Sequence, residues 1–327
     1  MSVRNIHIGK IFFFFFLLSV FSACDDDSEE DYYMDGSSYI DDSPYITFPN
    51  NLHVFLIGLD GWGGYSMPYI NMPNVAELMS LGSYTFKKKS VLPSSSGPNW
   101  ASLFMGVGVA EHGYTKWNSF TPDFQPKEIG PNGISPTICT LLKEQVPESK
   151  IGIFYDWEGI KYYVDTLAVD VCKQCSLYSI SSGRNQLTQE ACEYIIREKP
   201  TFCSIIYPEP DNTGHSLNFF SDAYYEKCNE IDIYIGQLIN SIKEAGIYNT
   251  SVIIITSDHG GFDNNHGGKT PYETETPFII CGSYVKKLGL FNQPIFQYDV
   301  AGIIAYIFNL EKPKSWIGRR CGWLFEL

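Results

Sequence analysis

Residues 251–268 read SVIIITSDHGGFDNNHGG and hold three side chains that could ligate a metal. Asp258 and His259 stand side by side where the apolar run 252–255 stops, and His266 returns seven residues after His259. Carboxylate plus imidazole suits zinc, manganese or iron better than calcium. Asp211 and His215 are four apart, a spacing that brings both to one side of a helical turn. Asp60 opens the run DGWGG. An Asp ending a strand before Gly, as Asp60 does, also reads as a plain turn former, and so does Ser257-Asp258 ahead of Gly260-Gly261. The segment Ser94-Ser95-Ser96-Gly97-Pro98-Asn99-Trp100 adds a different chemistry. Pro98 suits the first residue of a helix, which sets Ser96 beside a helix start whose free N–H groups attract an anion. A serine hydroxyl there, deprotonated by a metal, can attack phosphorus, with Asn99 as a neutral donor. The alternative is that the three serines are only cap and loop residues.

These residues need elements that bring them together. Residues 252–255 are β-branched without polar alternation, the pattern of a strand buried on both faces of a parallel sheet. Further strands are predicted over 51–59, 151–155, 201–207 and 276–281, with helices over 73–81, 190–198, 221–245 and 298–308. Strands alternating with helices in this way predict an α/β fold, a mainly parallel sheet with helices on both faces. Residues 114–135 and 160–190 are left as small cap or loop insertions that choose the substrate. The C-terminal ends of parallel strands share one edge, where open α/β sheets bind ligands. Asp60, Asp156, Asp211 with His215, and Asp258 with His259 therefore converge, and this convergence carries more weight than any single motif. The run 87–89, three lysines, is predicted to be a solvated edge. Cys172 and Cys175 form a CxxC with no second pair nearby, whereas Cys203 and Cys281 sit in apolar runs as small buried hydrophobes.

With 44% hydrophobic and 18% charged residues among 327, the chain can build a large core. A net charge of -14 excludes a nucleic-acid duplex as partner, though not a small phosphate ester bound through metal. Arg4 and Lys10 precede an apolar run over 11–21 and then Ser22-Ala23-Cys24, the order of an export signal and too short to span a membrane. Small residues before a cysteine resemble the lipobox of bacterial lipoproteins, so residues 1–23 are predicted to be a signal peptide and Cys24 the lipidated first residue. Nine acidic and no basic residues over 25–42 predict a disordered tether at 24–48. One enzyme domain would occupy 49–327. The expectation is a chain exported and lipid-anchored to the outer membrane, at the cell surface or facing the periplasm, where its eight other cysteines can oxidise. The sequence is silent on oligomeric state.

Taken in order, these segments resemble the alkaline phosphatase superfamily, in particular its type I phosphodiesterase and nucleotide pyrophosphatase branch. The motifs are Asp60-Gly61, Pro93 to Asn99 with Gly106 and His112-Gly113, Asp211 to His215 after Glu209-Pro210, Ser257 to Gly260, and His266-Gly267. They cover about 52–282. The resemblance implies two divalent metals, usually zinc. One would be held by Asp60, Ser96, Asp258 and His259, the other by Asp211, His215 and His266. It implies a phosphoester hydrolase acting on a small substrate through a phosphoseryl intermediate on Ser96, a phosphodiester more than a monoester. Asn99 and the Gly97 N–H would hold a nonbridging oxygen, and His112 would be structural. The alternatives are a phosphomonoesterase or phosphomutase on the same scaffold, or a non-catalytic surface binding lipoprotein. Nucleotide-handling members carry an aromatic residue where this chain has Gly97, so Trp62, Trp100 or Trp157 would have to flank a base. Trp100 also stands where sulfatases carry Arg, which argues against sulfate esters, and Lys161 is a candidate cation for a phosphate.

Overall fold

The computed structural model describes residues 45–177 and 185–326. Its centre is a parallel pair, β1 (His53–Leu59) and β6 (Ser251–Ser257), in register from Val54 opposite Val252 to Leu59 opposite Ser257. β5 (Phe202–Tyr207) pairs parallel on the other side of β1, followed outward by β3 (Ile151–Tyr155) and β4 (Val171–Gln174). Beyond β6 the direction reverses. β7 (Glu275–Gly282) is antiparallel to β6 and to β2 (Ser83–Lys89), and β8 (Gly289–Leu290) closes the edge. The eight-stranded order is β4-β3-β5-β1-β6-β7-β2-β8. The chain is thus α/β with a mainly parallel sheet, as its sequence predicts.

Burial on both faces explains the unbroken apolar strands. Along β1 and β6, Val54, Leu56, Val252 and Ile254 enter a core shared with α2 (Ser96–Met105), α4 (Ile138–Gln145) and α9 (Asp299–Ile307). Phe55, Ile57, Ile253 and Ile255 enter a second core against α1 (Pro73–Leu81), α5 (Gln186–Glu198) and α7 (Asp222–Glu244). Two single turns, α3 (Val109–His112) and α8 (Pro271–Thr274), and α6 (Asp211–Leu217) lie in the connections. The helix predicted over 221–245 is α7, started by the Ser221 hydroxyl accepting from Tyr224 N at 3.2 Å. α5 begins four residues before the predicted 190 because Asn185 caps it, accepting from Thr188 N at 2.9 Å.

Two expectations are corrected. The lysine run is no solvated edge, because Lys88 in β2 is fully buried. The tether boundary at 48 falls inside packed chain. Ile46 N donates to the Tyr306 hydroxyl at 2.7 Å, and Phe48 is buried edge-on against Tyr306 and Phe325. Cys139, Cys172, Cys175, Cys192, Cys203, Cys228 and Cys281 are free thiols, so the CxxC is not bridged. The signal peptide, Cys24 and the acidic run lie outside the described residues, as do 178–184 of the second predicted insertion.

One glycine links the sheet to the site. A Cβ on Gly58 would stand 2.5 Å from both Trp100 Cη2 and Ile206 Cδ1. Gly58→Ala is expected to displace the indole and to cost about 1–3 kcal/mol of stability, read from the urea midpoint. An unchanged midpoint would contradict the seating of Trp100 against β1.

Candidate active site

Asp60 and Asp258 follow the ends of adjacent strands β1 and β6, and Asp211 opens α6 just past β5. The three ends are stapled by backbone. Asp60 N donates to Tyr207 O and Asp211 N to Asp60 O, both at 3.0 Å. Gly61 N donates to Asp258 Oδ1 at 3.1 Å. Gly61 has a φ of 71°, and a Cβ there would lie 2.7 Å from Asp211 Cβ, so only glycine lets the strand ends approach this closely. Ser96 is the first residue of α2, two residues earlier than Pro98 suggests, and Ser95 before it is extended.

Ser96 Oγ lies 3.2 Å from His259 Nε2 and 3.4 Å from Asp60 Oδ1. His259 Nε2 also faces Asp258 Oδ2 at 3.2 Å and Asp60 Oδ1 at 3.5 Å. A second group forms around Asp211, with His215 Nε2 3.4 Å from Oδ2 and His266 Nε2 3.7 Å from Oδ1. The ligand atoms of Asp211, His215 and His266 lie within 4.8 Å of one another, and so do those of Asp60, Asp211 and His259. The groups adjoin, since the rings of His259 and His266 stack at 3.9 Å. The structure therefore brings together all seven side chains that the sequence proposes as ligands.

The imidazole tautomers follow from their partners. His259 Nδ1 meets Gly260 O at 2.8 Å, His215 Nδ1 meets Asn264 O at 2.8 Å, and His266 Nδ1 meets Ser94 O at 3.2 Å. A carbonyl only accepts, so each Nδ1 carries the hydrogen and each Nε2 presents a lone pair. Those lone pairs point at carboxylate oxygens, an arrangement that repels unless a cation or proton lies between. Asp211 Oδ1 and Asp258 Oδ2 are buried without a hydrogen-bond donor. Burial raises the Asp60 and Asp211 carboxyls well above the usual carboxylate range, with the Asp258 charge adding to the first and the Asp60 charge to the second. Burial also pushes Asp258 up to about 6 and pulls His259 down to about 3 and His266 to about 2. Carboxyls that resist ionising together and imidazoles that resist protonation are what a divalent cation would satisfy, so the residues fit a metal centre.

Other predicted residues take different places. Asn99 is buried with its amide spent on the loop ahead of it. Nδ2 has three acceptors, Val91 O, Pro93 O and Ser95 O, for its two hydrogens, and Oδ1 accepts from Val91 N, leaving no donor for a substrate oxygen. Trp100 and Trp62 are fully buried and cannot flank a ligand. Trp100 instead donates Nε1 to Asp60 Oδ2 at 3.0 Å, which fixes that carboxylate. Lys161 pairs with Glu158 outside the cavity. Asp156 accepts from Leu177 N at 2.5 Å and belongs to neither ligand group. His112 is buried and structural in position, its Nε2 3.0 Å from Ser102 Oγ.

The cavity above Ser96 has a volume of about 660 Å³, and Trp157 lines it as the sequence suggests. Sequence reasoning missed Lys116 and Trp117 on the same wall. The signal was Gly97. A Cβ there would lie 2.2 Å from Lys116 O and 2.9 Å from Trp117 O, so the backbone of this loop fills the space an aromatic side chain would need. Gly97 acts here as a gap in the wall, not as a substrate contact. Asp123 holds the loop rigid, accepting from Thr115 N at 2.9 Å and from the hydroxyls of Thr115 and Ser119 at 2.7 and 2.6 Å.

Residues 54–278 match the family model for type I phosphodiesterase / nucleotide pyrophosphatase. The mouse ectonucleotide pyrophosphatase/phosphodiesterase family member 1 is 24% identical over 225 residues, covering 63% of this chain and 23% of that protein. The chain thus aligns with less than a quarter of that relative's length. Among solved structures, murine ectonucleotide pyrophosphatase/phosphodiesterase 5, in complex with AMP, superposes with a TM-score of 0.67 at 15% identity, covering 84% of this chain and 100% of that one. A 2-O GAG sulfatase superposes at 0.65 with 13% identity, covering 84% and 74%. With this arrangement of strand ends, and a family match over most of its length, the chain belongs to the type I phosphodiesterase/nucleotide pyrophosphatase family of the alkaline phosphatase superfamily.

Proposed function

We propose that this protein is a two-metal phosphoester hydrolase with Ser96 as nucleophile, acting on a small phosphodiester or pyrophosphate. The observation that carries the reading is the set of three imidazole Nε2 lone pairs, each fixed by a carbonyl on Nδ1, facing buried carboxylates beside Ser96 Oγ. Asp60, Asp258, His259 and the Ser96 oxygen would hold one cation, and Asp211, His215 and His266 the other. Zinc fits this nitrogen and oxygen donor set. When bound, such ions supply Lewis-acid chemistry, lowering the pKa of a hydroxyl and neutralising charge on a phosphoryl group.

Trp100 and Gly61 hold Asp60 and Asp258 in place, and the start of α2 holds Ser96 with its first free N–H groups turned to an anion. Ser96 Oγ loses its proton to water and forms a bond to phosphorus as the bond to the leaving oxygen breaks. That oxygen leaves protonated by solvent. Water then attacks phosphorus and gives up a proton, the bond to Ser96 Oγ breaks, Oγ takes a proton back to restore the hydroxyl, and the phosphate product leaves. The exposed Trp117 and half-buried Trp157 offer a planar wall for an aromatic leaving group, and the AMP held by the murine relative supports a small nucleotide ester. Phosphate over sulfate rests on Trp100, which stands where sulfatases carry Arg and is committed to Asp60. We propose also that residues 1–23 direct export and that Cys24 carries a lipid anchor to the outer membrane, supported by the order of charged, apolar and small residues there.

Purified protein is expected to hydrolyse bis-p-nitrophenyl phosphate faster than p-nitrophenyl phosphate and to leave p-nitrophenyl sulfate intact. The reverse order of the two phosphates would make it a monoesterase, and no turnover of either would make it a binding protein. Ser96→Ala should lower kcat at least a thousandfold, roughly the scale of losing a covalent nucleophile, and activity equal to wild type would sink the mechanism. Elemental analysis is expected to find two zinc ions per chain, with chelation abolishing turnover and lowering Tm. Fewer than two bound transition metals after gentle purification would count against the paired site. Labelled palmitate should enter the wild type and not Cys24→Ala, and equal labelling would remove the anchor.

A further inference from the structure

Lys88 is a fully buried charge that the reaction does not use. The pairing of β2 with β7 shifts register between Thr85 and Lys88, and this bulge leaves Lys87 exposed while turning Lys88 inward. Lys88 Nζ donates to Ser257 O at 2.9 Å and to Gln297 Oε1. Gln297, also fully buried, donates Nε2 to Asn99 O at 3.2 Å and, more weakly, to Ser257 O at 3.4 Å. Ser257 immediately precedes Asp258, and Asn99 O lies in the first turn of the helix that Ser96 begins. Two hydrogen-bonded side chains therefore tie the nucleophile's helix to the ligand-bearing strand end.

Among the described residues no carboxylate lies within ion-pairing range of Lys88. The anions that act on it from a distance are Asp258 and Asp299, and Asp299 is already held by Arg319 at 2.6 Å. Burial pulls the ammonium down to about 7 in spite of them. A buried charge without a counter-ion in contact is costly, and an apolar chain of the same length would fill the space without that cost. What an ammonium can offset here is the charge of Asp258, which the Asp60 and Asp211 carboxyls feel in turn.

We propose that Lys88 is a resident counter-charge of the metal centre and that, through Gln297, it clamps the Ser96 helix to the strand carrying Asp258. The inference rests on the site being a metal centre, as in the proposed function. In the empty site the ammonium relieves carboxylate repulsion; once a divalent cation enters, the same charge opposes it. Lys88 is thus a positioning residue whose removal should favour the loaded state over the empty one. Gln297 carries the clamp without the charge.

The test is zinc affinity by competition with a chromophoric chelator, with melting curves of metal-free and zinc-loaded protein. Lys88→Met is expected to bind zinc roughly tenfold more tightly, and its metal-free form to lose more Tm than its loaded form. Unfolding of the metal-free variant alone would be the limit of the same result. Gln297→Leu should bind zinc within twofold of wild type while kcat per zinc-loaded molecule falls roughly tenfold at unchanged KM. Unchanged zinc affinity in Lys88→Met, with equal Tm loss in both forms, would overturn the counter-charge, and unchanged kcat in Gln297→Leu would overturn the clamp. Affinity and melting need no turnover. A wild type that binds zinc but hydrolyses nothing would therefore sink the hydrolase reading and leave the Lys88 result to stand or fall by itself.

Discussion

Three carboxylates and three imidazoles crowd one edge of the sheet with their acceptor atoms facing one another. The cluster is costly, because each group is taken from water and the lone pairs that meet there repel. The surrounding fold can be understood as the set of constraints that hold the cluster in spite of this. Parallel strands β1, β5 and β6 end together and staple one another through backbone hydrogen bonds, Gly61 removes the Cβ that would hold Asp211 away, and Trp100 anchors one carboxylate. Carbonyls of Ser94, Gly260 and Asn264 set all three imidazole tautomers. Strain of this kind persists where a ligand relieves it, which is the physical basis for reading the cluster as a cation site.

Much of this was legible in the chain. Buried parallel strands announce themselves as unbroken apolar runs, so residues 252–255 and 151–155 read as strands from composition, and a parallel sheet necessarily gathers its C-terminal ends. That topology brings Asp60, Asp156, Asp211 with His215, and Asp258 with His259 to one edge, and the family resemblance implies the division of seven ligands between two metals and leaves Asp156 out. What the sequence hid depends on side-chain direction. Asn99 has a donor and an acceptor in the right segment, yet α2 begins at Ser96, two residues ahead of Pro98, and its amide meets the backbone of 91–95 instead of the cavity. Lys88 looks like its two neighbours until the bulge in β2 reverses its facing, and no residue pattern in KKK signals a bulge.

The substrate wall shows a similar limit. Gly97 marks the absence of an aromatic residue next to the nucleophile, but the sequence does not say what fills the gap. The loop at 115–123 does so with its backbone, and a single carboxylate, Asp123, organises it through three hydrogen bonds. The family's chemistry is thereby combined with a wall of this chain's own making, in which Trp117 and Trp157 stand where the sequence suggested Trp62, Trp100 or Trp157. The sheet fixes where bonds can break, and the loop fixes what can be presented to it.

The central claim is that the clustered acceptors are completed by two cations. Anomalous diffraction at the zinc edge from crystals of the zinc-loaded protein tests it most directly. The account predicts two peaks, one among Asp60, Ser96, Asp258 and His259 and one among Asp211, His215 and His266. A loaded crystal with a single peak, or with its zinc elsewhere, would contradict it.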